Sequence, residues 1–507
     1  MSTAVTEPGP TSAPRPAPQE PARSSGGPLA RLRADHRRRS EIAYADTNTP
    51  IRTINRRKLL WYAGLALVIA VTAWPVLDRL INGLQVTDLT SAMPWGAWVA
   101  LYIFFVGLSA GAFLLSSLVY VFGMYQFERI GRAALTSAIV CMGVALAFIG
   151  FDLGRWDRAA STMYWFHWTS PLSWEVRFYV IYIALLIAEL TVALLVHKRL
   201  VRNVHRAHTA LRVLGIIGLP LAIFGVHGGT GTIFAVVEAR GMWFGGLFPV
   251  IFVLSAMVSG TALLTLVYWA QSKAVGRPID HGLMRGLATV LSAVLAIDLG
   301  LTFYEYIVPF LSNQHHDMGI MSIQMFGPFW WTFWIVQLLL GMIIPFIITI
   351  TPLKKRTGLV VVAAALTVIG IIAVRFNIVV PPLLPPIIDG YPVNDYFPTL
   401  SEIAVCICFI AIGMLVYSLF AEWQPIHEPD PDERERITAD ADSLGGEVLH
   451  GGEHDAAAVG VATATTSTAQ AARTTPAART ASDPRTAHSS PTDRPPHGPG
   501  TATPEGR

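Results

Sequence analysis

The chain has 507 residues, of which 52% are hydrophobic and only 14% are charged. Soluble globular proteins have about 25% charged residues, so this composition excludes a single water-soluble domain. The net charge of +3 indicates little about partners, because basic and acidic segments near the two ends nearly cancel. Cys141, Cys406 and Cys408 lie inside apolar runs, which excludes a disulfide framework and the thiolate spacing of a structural zinc or an iron–sulfur cluster.

Between residues 59 and 420 the apolar residues form runs long enough to cross the hydrocarbon core of a membrane. Such runs are expected to be helical, because lipid satisfies no backbone hydrogen bonds. The predicted spans are 59–77, 94–121, 133–152, 174–196, 210–227, 244–270, 284–308, 329–350, 358–378 and 399–420. The predicted fold class is therefore an all-α integral membrane protein with ten transmembrane helices.

Lysine and arginine in the connecting loops predict the orientation, because cytoplasmic loops retain positive charge. Twenty of these residues fall in segment 31–58 and the even-numbered loops, against four in the odd-numbered loops. We therefore expect a multi-pass protein of the cell membrane with both termini in the cytoplasm. Residues 1–58 and 421–507 are predicted to be disordered cytoplasmic tails, since they are hydrophilic and rich in charge or in Pro, Ser, Thr and Ala.

Two short sequences recur at the same offset of 146 residues: Leu108-Ser-Ala at Leu254, and Asp152-Leu-Gly at Asp298. Four predicted helices separate the copies, so the second copy would enter the membrane in the same direction, as in parallel transporter repeats. Coincidence is the alternative, because Leu, Ser, Ala and Gly are common here. The repeat predicts two four-helix bundles plus two peripheral helices, with the bundles at about 94–227 and 244–378.

Ionisable residues inside the predicted spans are few, and each is a functional candidate because a charge in lipid is costly. They are Glu189 in the inner half of span four, Asp298 and Glu305 in the middle and outer part of span seven, and Arg375 in the outer part of span nine. Asp298 and Arg375 have similar depth, so a structural ion pair and a proton relay both remain open. Glu189 has no evident partner, which favours a proton path over snorkelling.

A denser cluster of polar and aromatic residues is predicted at the outer face. It comprises Trp95, Trp98, Tyr102, Asp152, Arg155, Asp157, His167, Trp174, Glu175, Arg177, His227 and Glu238. One interpretation is an aromatic belt with surface ion pairs. The other is a pocket in which tryptophans hold a lipid-soluble aromatic head group while a histidine and a carboxylate exchange its protons.

The positions of the histidines disfavour haem. A transmembrane di-haem cytochrome needs axial histidines in helix interiors, whereas His197 and His227 fall at predicted helix ends and the others in loops or tails. The glycine-rich sequence that begins at His227 lacks the lysine of a phosphate-binding loop and is predicted to be a closely packed helix end. We therefore expect neither haem nor a metal site in this chain.

Several segments resemble the NrfD/PsrC family, which supplies the quinone-reactive membrane subunit of polysulfide-reductase-type complexes. They are the Pro94-Trp-Gly-Ala-Trp start of span two, Asp152-Leu-Gly-Arg155 and Ser170-Pro-Leu-Ser-Trp-Glu175. His227 and the stretch 247–260 are similar to the second-half signature of ten-span members, including the membrane subunits of some hydrogenases. The resemblance covers about residues 59–420. Two departures concern the pocket: Trp156 stands where family members often have Pro, and Glu175 with Arg177 adds charge.

The resemblance implies a subunit without haem that exchanges electrons between menaquinol or ubiquinol and a ferredoxin-like iron–sulfur subunit on the outer face. A large catalytic subunit, typically with molybdopterin, would complete the complex, and this chain would not be catalytic alone. Asp152 and His227 would be proton acceptors or head-group ligands, and Arg155 would orient Asp152 or the quinone. Contacts with the head group are expected from Trp95, Trp98, Tyr102, Trp174, Glu175 and Arg177, and a proton path from Glu189, Asp298, Glu305 and Arg375.

Two functions from other classes remain as alternatives. A secondary transporter would also have parallel repeats and charges within the membrane. A passive membrane anchor of an extracytoplasmic redox complex would use the outer aromatic residues only as an interface. The polar residues gather at one face instead of the midplane, which argues against a transporter, and a bound quinone would argue against a passive anchor.

Overall fold

A computed structural model describes residues 56–122, 127–197, 204–275, 278–312, 315–386, 393–424 and 426. The predicted tails lie almost wholly outside these residues. The described part of the chain is helical and contains no strand. Ten of its helices are long and apolar enough to cross a membrane, which confirms the predicted fold class.

The ten helices are labelled α1 to α10 in chain order. The first five are α1 (Arg56–Asn82), α2 (Ala97–Tyr120), α3 (Glu128–Asp152), α4 (Pro171–His197) and α5, in which the π-helical segment Leu221–His227 joins Val204–Pro220 to Gly228–Ala235. The others are α6 (Phe248–Val275), α7 (His281–Ser312), α8 (π-helical Thr332–Ile343, then Ile344–Ile350), α9 (Thr357–Val379) and α10 (Leu400–Trp423). We call the side at which α2, α4 and α6 begin the outer side, following the predicted orientation.

The central contact of the fold joins α2 to α6. A Cβ atom on Gly111 or Gly260 would meet the backbone of the other helix, so only glycine permits this approach. α2 packs mainly on α3, whereas α6 packs on α7 and α9, so α2–α5 and α6–α9 form two groups that share the α2–α6 contact. Trp95 stacks on Trp243, and His227 contacts Arg375, so residues of both groups meet beside the α2–α6 contact.

α1 and α10 pack against each other at the edge of the first bundle, where α10 also contacts α3. At the inner end, Lys58 Nζ lies 3.3 Å from Glu422 Oε1. At the outer end, α10 begins with a capping box in which Thr399 and Glu402 each accept the other's backbone N–H. These are the two peripheral helices that the sequence predicted.

The structure corrects the predicted end of the fifth span. The helix does not end at His227 but continues to Ala235, after the π-helical segment. The glycines are required by packing, since a Cβ atom on Gly231 would approach Pro249 and Phe252 of α6 too closely. His227 therefore lies inside a helix and is fully buried. π-helical segments of this kind are frequent at functional sites.

Candidate functional site

The outer end of α2 contacts three neighbouring elements through three aromatic residues. Trp98 contacts α3 through Phe151 at 6.3 Å between ring centroids. Tyr102 contacts α4 through a hydrogen bond to Tyr179. Trp95 contacts the segment before α6. The first turns of α2 therefore connect α3, α4 and the segment before α6.

A buried hydrogen-bond network joins Tyr102, Tyr179, Glu175 and Thr230. The hydroxyl groups of Tyr102 and Tyr179 lie 2.6 Å apart, and the Tyr179 hydroxyl donates to Glu175 Oε1 at 2.7 Å. The Thr230 hydroxyl lies 2.9 Å from that of Tyr179. Glu175 is only 1% exposed. A chain of hydroxyl groups that ends on a carboxyl group can move a proton by exchanging hydrogen bonds.

This network begins a line of polar side chains on one face of α4. Tyr182 and Glu189 follow Glu175 and Tyr179 at helical spacing and face the same way. The Tyr182 hydroxyl donates to the Ser109 carbonyl at 3.1 Å. Glu189 is fully buried, and neither of its carboxylate oxygens has a hydrogen-bond partner. The helix rises roughly 21 Å from Glu175 to Glu189, so the line extends into the inner half of the protein.

Trp174 and Arg177 lie on another face of α4, although they flank Glu175 in sequence. The Arg177 guanidinium donates to the Met163 carbonyl at 2.8 Å and lies 4.4 Å from the centre of the Phe166 ring. The Trp174 indole donates to the Trp168 carbonyl at 3.0 Å. Both residues thus hold the α3–α4 connection against the first turn of α4, and these contacts do not involve the Glu175 network.

His227 and Arg375 join the two bundles. Arg375 Nη2 lies 3.2 Å from His227 Nε2, and both side chains are fully buried. The guanidinium carbon of Arg375 lies 4.5 Å from the centre of the Phe252 ring. His227 Nδ1 and Arg375 Nε and Nη1 have no hydrogen-bond partner. Buried polar atoms are nearly always paired in proteins. These three unpaired atoms are therefore candidates for hydrogen bonds to a bound molecule.

Asp298 and Glu305 of α7 interact electrostatically with Arg375. Asp298 is buried, and the two carboxylates lie two helical turns apart on the same face of α7. The structure thus brings Asp298 and Arg375 together, as their similar depth suggested, and places Glu305 in the same group. It also adds His227 from the first bundle to the group.

A neutral network lies nearby in the second bundle. The Asn377 side chain accepts from the Thr332 hydroxyl at 2.6 Å and donates to Gln337 Oε1 at 2.7 Å. Gln324 Nε2 donates to the Tyr306 hydroxyl at 2.7 Å. The polar groups of these amides and hydroxyls therefore satisfy one another.

Asp152 ends α3 and lies beside Arg79 of α1 and Glu402 of α10, with which it interacts electrostatically. Its Oδ1 atom is buried without a hydrogen-bond partner. In the part of the chain that the structure describes, no hydrogen bond or ring contact joins Asp152 to His227. The two residues expected to share a role therefore belong to separate groups: Asp152 lies at the outer end of α3, and His227 lies deeper, beside Gly107 of α2.

The structure pairs Arg155 with Asp157, whereas the sequence suggested that Arg155 orients Asp152 or the quinone. Its guanidinium is exposed and donates to both carboxylate oxygens of Asp157, at 3.0 and 2.6 Å. This contact lowers the pKa of Asp157 from its usual value. The physical reason is local, because the chain leaves the helix after Asp152 and a turn at 156–158 brings Arg155 to Asp157 instead.

A sequence profile described as "Polysulphide reductase, NrfD" matches residues 85–385, more than half of the chain. The chain belongs to this family. The predicted family is thereby confirmed, and this NrfD protein is a membrane subunit of the type found in reductase complexes.

Three relatives illustrate the range of the family. A selenate reductase subunit of Mesobacillus selenatarsenatis is 35% identical over 408 residues, which cover 73% of this chain and 94% of the relative. The Hdr-like menaquinol oxidoreductase integral membrane subunit of Archaeoglobus fulgidus is 25% identical, with 70% and 91% covered. The probable Ni/Fe-hydrogenase 2 b-type cytochrome subunit of Escherichia coli is 25% identical, with 70% and 89% covered.

Some residues around the candidate site of this NrfD protein carry no distinguishing sequence signal. Arg79 lies beyond the predicted end of the first span, and Glu402 stands in the first turn of the last helix, where a carboxylate is ordinary. Tyr179 is different, because it follows Glu175 by one helical turn and the helical period alone places both on one face. Only the packing of α1 and α10 on the first bundle brings Arg79 and Glu402 to Asp152.

Proposed function

We propose that this NrfD protein binds menaquinol at its outer side and passes the electrons to a ferredoxin-like iron–sulfur subunit, which in turn serves a large catalytic subunit. Both termini would face the cytoplasm. The observation that carries the proposal is a set of buried polar atoms without partners on Asp152, His227 and Arg375. Phe151, next to Asp152, packs on Trp98 in the first turn of α2, and His227 and Arg375 lie beside Gly107 further along the same helix. The names of the relatives, a menaquinol oxidoreductase subunit and a selenate reductase subunit, support it.

The chemistry of these atoms suits a quinol or quinone head group. The guanidinium of Arg375 can only donate, so His227 Nε2 accepts from it and a neutral imidazole carries its proton on Nδ1. His227 Nδ1 and Arg375 Nε and Nη1 are thus donors that suit the oxygen atoms of a head group. This favours the role of head-group ligand for His227 over that of proton acceptor. The ring of Phe252 supplies apolar surface beside them, and Phe234 connects that ring to Trp95.

Bound menaquinol supplies two electrons and two protons to the reaction, so two proton acceptors are needed. Asp152 is one, through its free Oδ1 atom. Glu175 is the other, because the hydroxyl groups of Tyr102 and Tyr179 connect its carboxyl group to the outer part of α2. Both carboxyl groups lie at the outer side, which favours release of the protons outward.

We assign a proton path to Glu189 and to the group Asp298, Glu305 and Arg375. Glu189 supports this because it is buried without a hydrogen-bond partner at the inner end of the polar line of α4. A carboxyl group buried within a membrane span must exchange a proton to change its charge. Asp298 and Glu305 support it because both interact electrostatically with Arg375, which also contacts His227. A change of charge at the head group would therefore alter the electrostatic interaction of Arg375 with both carboxylates.

We propose that electrons leave the site without haem in this chain, and that iron–sulfur clusters and molybdopterin belong to partner subunits. Among the histidines whose side chains the structure describes, only His227 is buried, and Arg375 already contacts its Nε2. The Escherichia coli relative is named a b-type cytochrome subunit, so the haem content of the complex is measured directly.

The test is a reduced-minus-oxidised absorption spectrum and a quinone extraction on the complex purified through a tag on the C-terminal segment. We expect broad iron–sulfur bleaching when a menaquinol analogue is added, no sharp haem bands, and bound quinone. A complex without quinone that shows no bleaching would contradict the proposal and favour a passive anchor. A protein that purifies alone without colour would favour a transporter.

Variants of the complex sharpen this test. Asp152→Asn should abolish quinol-dependent reduction of the partner while the complex still assembles, because the carboxyl group that accepts a proton is gone. Asp157→Asn is the matched control, since Asp157 lies on the same side but is exposed and bound to Arg155. Equal activity of the two variants would remove Asp152 from the site.

A further inference from the structure

Arg79 is a buried arginine at the outer end of the peripheral helix α1. It is only 4% exposed. Its Nε and Nη2 atoms donate to the Phe151 carbonyl at 3.0 and 2.7 Å, and Nη2 also donates to the Leu153 carbonyl at 2.9 Å. These carbonyls belong to the end of α3, where backbone acceptors lack partners within the helix. The side chain of Arg79 thus binds the backbone on both sides of Asp152.

Aromatic rings enclose the guanidinium of Arg79. Its central carbon lies 6.0 Å from the centre of the Trp98 ring and 5.7 Å from that of Trp156. Trp98 is itself fixed, because its indole donates to the Glu402 carbonyl at 3.2 Å. The guanidinium is therefore held in one orientation by bonds at its edge and by rings beside it.

The second neighbour of Asp152, the carboxylate of Glu402, is already satisfied. Its Oε1 accepts from the Tyr396 hydroxyl at 2.7 Å, and its Oε2 accepts from the backbone of Thr399 at 2.9 Å. Burial and the adjacent Glu402 raise the pKa of Tyr396, so this phenol remains a donor. Glu402 thus contributes negative charge near Asp152, and Arg79 contributes the opposing positive charge.

We propose that Arg79 is the positioning residue of Asp152, in the place expected for Arg155. It fixes the backbone that carries the carboxyl group, offsets the charge of Glu402, and leaves Oδ1 of Asp152 free to accept a proton. The inference deepens the proposed function and rests on it, since it assumes that Asp152 takes part in quinol oxidation. It also gives α1 a part in the site, although this helix lies outside both bundles.

The test compares Arg79→Gln, Arg79→Lys and Arg155→Gln in the purified complex, with Arg158→Gln as an exposed control in the same connection. We expect Arg79→Gln to lower kcat for menaquinol-analogue oxidation by about 10- to 100-fold, the range of a misplaced proton acceptor, with KM changed less than about twofold. Arg79→Lys should recover part of the loss because it restores the charge. Arg155→Gln and Arg158→Gln should retain normal kcat.

Infrared difference spectra on quinol addition provide a readout that a merely structural role would not change. The carboxyl band that Asp152→Asn removes should be present but displaced in Arg79→Gln. The proposal is overturned if Arg155→Gln lowers kcat as much as Arg79→Gln. It is also overturned if Arg79→Gln reduces the amount of assembled complex while the carboxyl band of the complex that does assemble keeps its position.

The two proposals fail in different ways. If Asp152→Asn abolishes turnover and Arg79→Gln does not lower it, only the role of Arg79 is wrong. If Asp152→Asn retains full turnover, the acceptor role of Asp152 fails and the role of Arg79 fails with it.

Discussion

The two bundles differ in how far their buried charged residues extend across the membrane. In the first bundle, a polar face of α4 continues from Glu175 at the outer end to Glu189 in the inner half. In the second bundle, Asp298, Glu305 and Arg375 lie in the middle and outer parts of α7 and α9. Within the described residues, the inner half of α6–α9 contains no buried acidic or basic side chain.

This difference indicates that the two bundles, although similar in architecture, have different roles. Among the described residues, only the first bundle has a buried acidic residue in the inner half, where a proton from the inner side would meet it first. The second bundle contributes charge and hydrogen-bond donors to the outer site through Arg375.

The contact between the bundles should be the most sensitive point. Arg375→Met leaves Asp298 and Glu305 without their cation, which should cost about 3–5 kcal/mol and abolish quinol turnover. Thermal unfolding and menaquinol-analogue oxidation of the purified complex measure both effects. Arg240→Met is the control, because Arg240 is also buried but donates only to the carbonyls of Pro382 and Pro385. If turnover per folded complex falls equally in both variants, Arg375 has only a structural role.

The hydrogen-bond network of the first bundle should be needed for the rate of proton transfer. Tyr179→Phe breaks the connection from Tyr102 to Glu175 and should slow turnover by about 100-fold, the lower end of the contribution of a positioned acid or base. Tyr306→Phe removes a comparable hydroxyl from the second bundle, where its partner is Gln324. Stopped-flow reduction of the partner's iron–sulfur clusters measures both variants. A normal rate for Tyr179→Phe would show that Glu175 does not receive the proton.

We expect the inner half of the first bundle to affect proton movement more than it affects the binding of quinol at the outer site. Glu189→Gln should slow turnover or uncouple proton movement, because no other buried ionisable residue of α4 continues the line inward. Proteoliposomes with a trapped pH dye measure both quantities at once. Glu422→Gln is the control, since Glu422 pairs with Lys58 at the inner end. Normal rates and normal proton movement in Glu189→Gln would make Glu189 structural.

The close approach of α2 and α6 should affect stability with little effect on turnover. Gly260→Ala places a methyl group against the backbone of Gly111 and should destabilise the protein by about 1–3 kcal/mol. Gly143→Ala in α3 is the control, because nothing lies within 4 Å of the added Cβ atom. Thermal unfolding of the two variants measures the difference. Equal stability would show that the helices separate readily at this crossing.

Much of this architecture could be predicted from local sequence features. Runs of apolar residues set the ten helices, because their length and lack of charge are sufficient for a membrane span. The helical period alone separates Glu175 and Tyr179 from Trp174 and Arg177. The end of α5 could not be predicted, since Gly231 is a helix breaker in isolation and becomes a packing residue only against α6.

The ten membrane spans, the family and the ionisable residues within the spans could be read from the sequence, because hydropathy and motif spacing are local properties of the chain. Which of these residues contact one another depends on the tertiary structure. It placed His227 against Arg375 and Asp152 against Arg79, and it left Arg155 with Asp157. Partners from helices far apart in sequence depend on how the helices pack, and no local pattern records that packing.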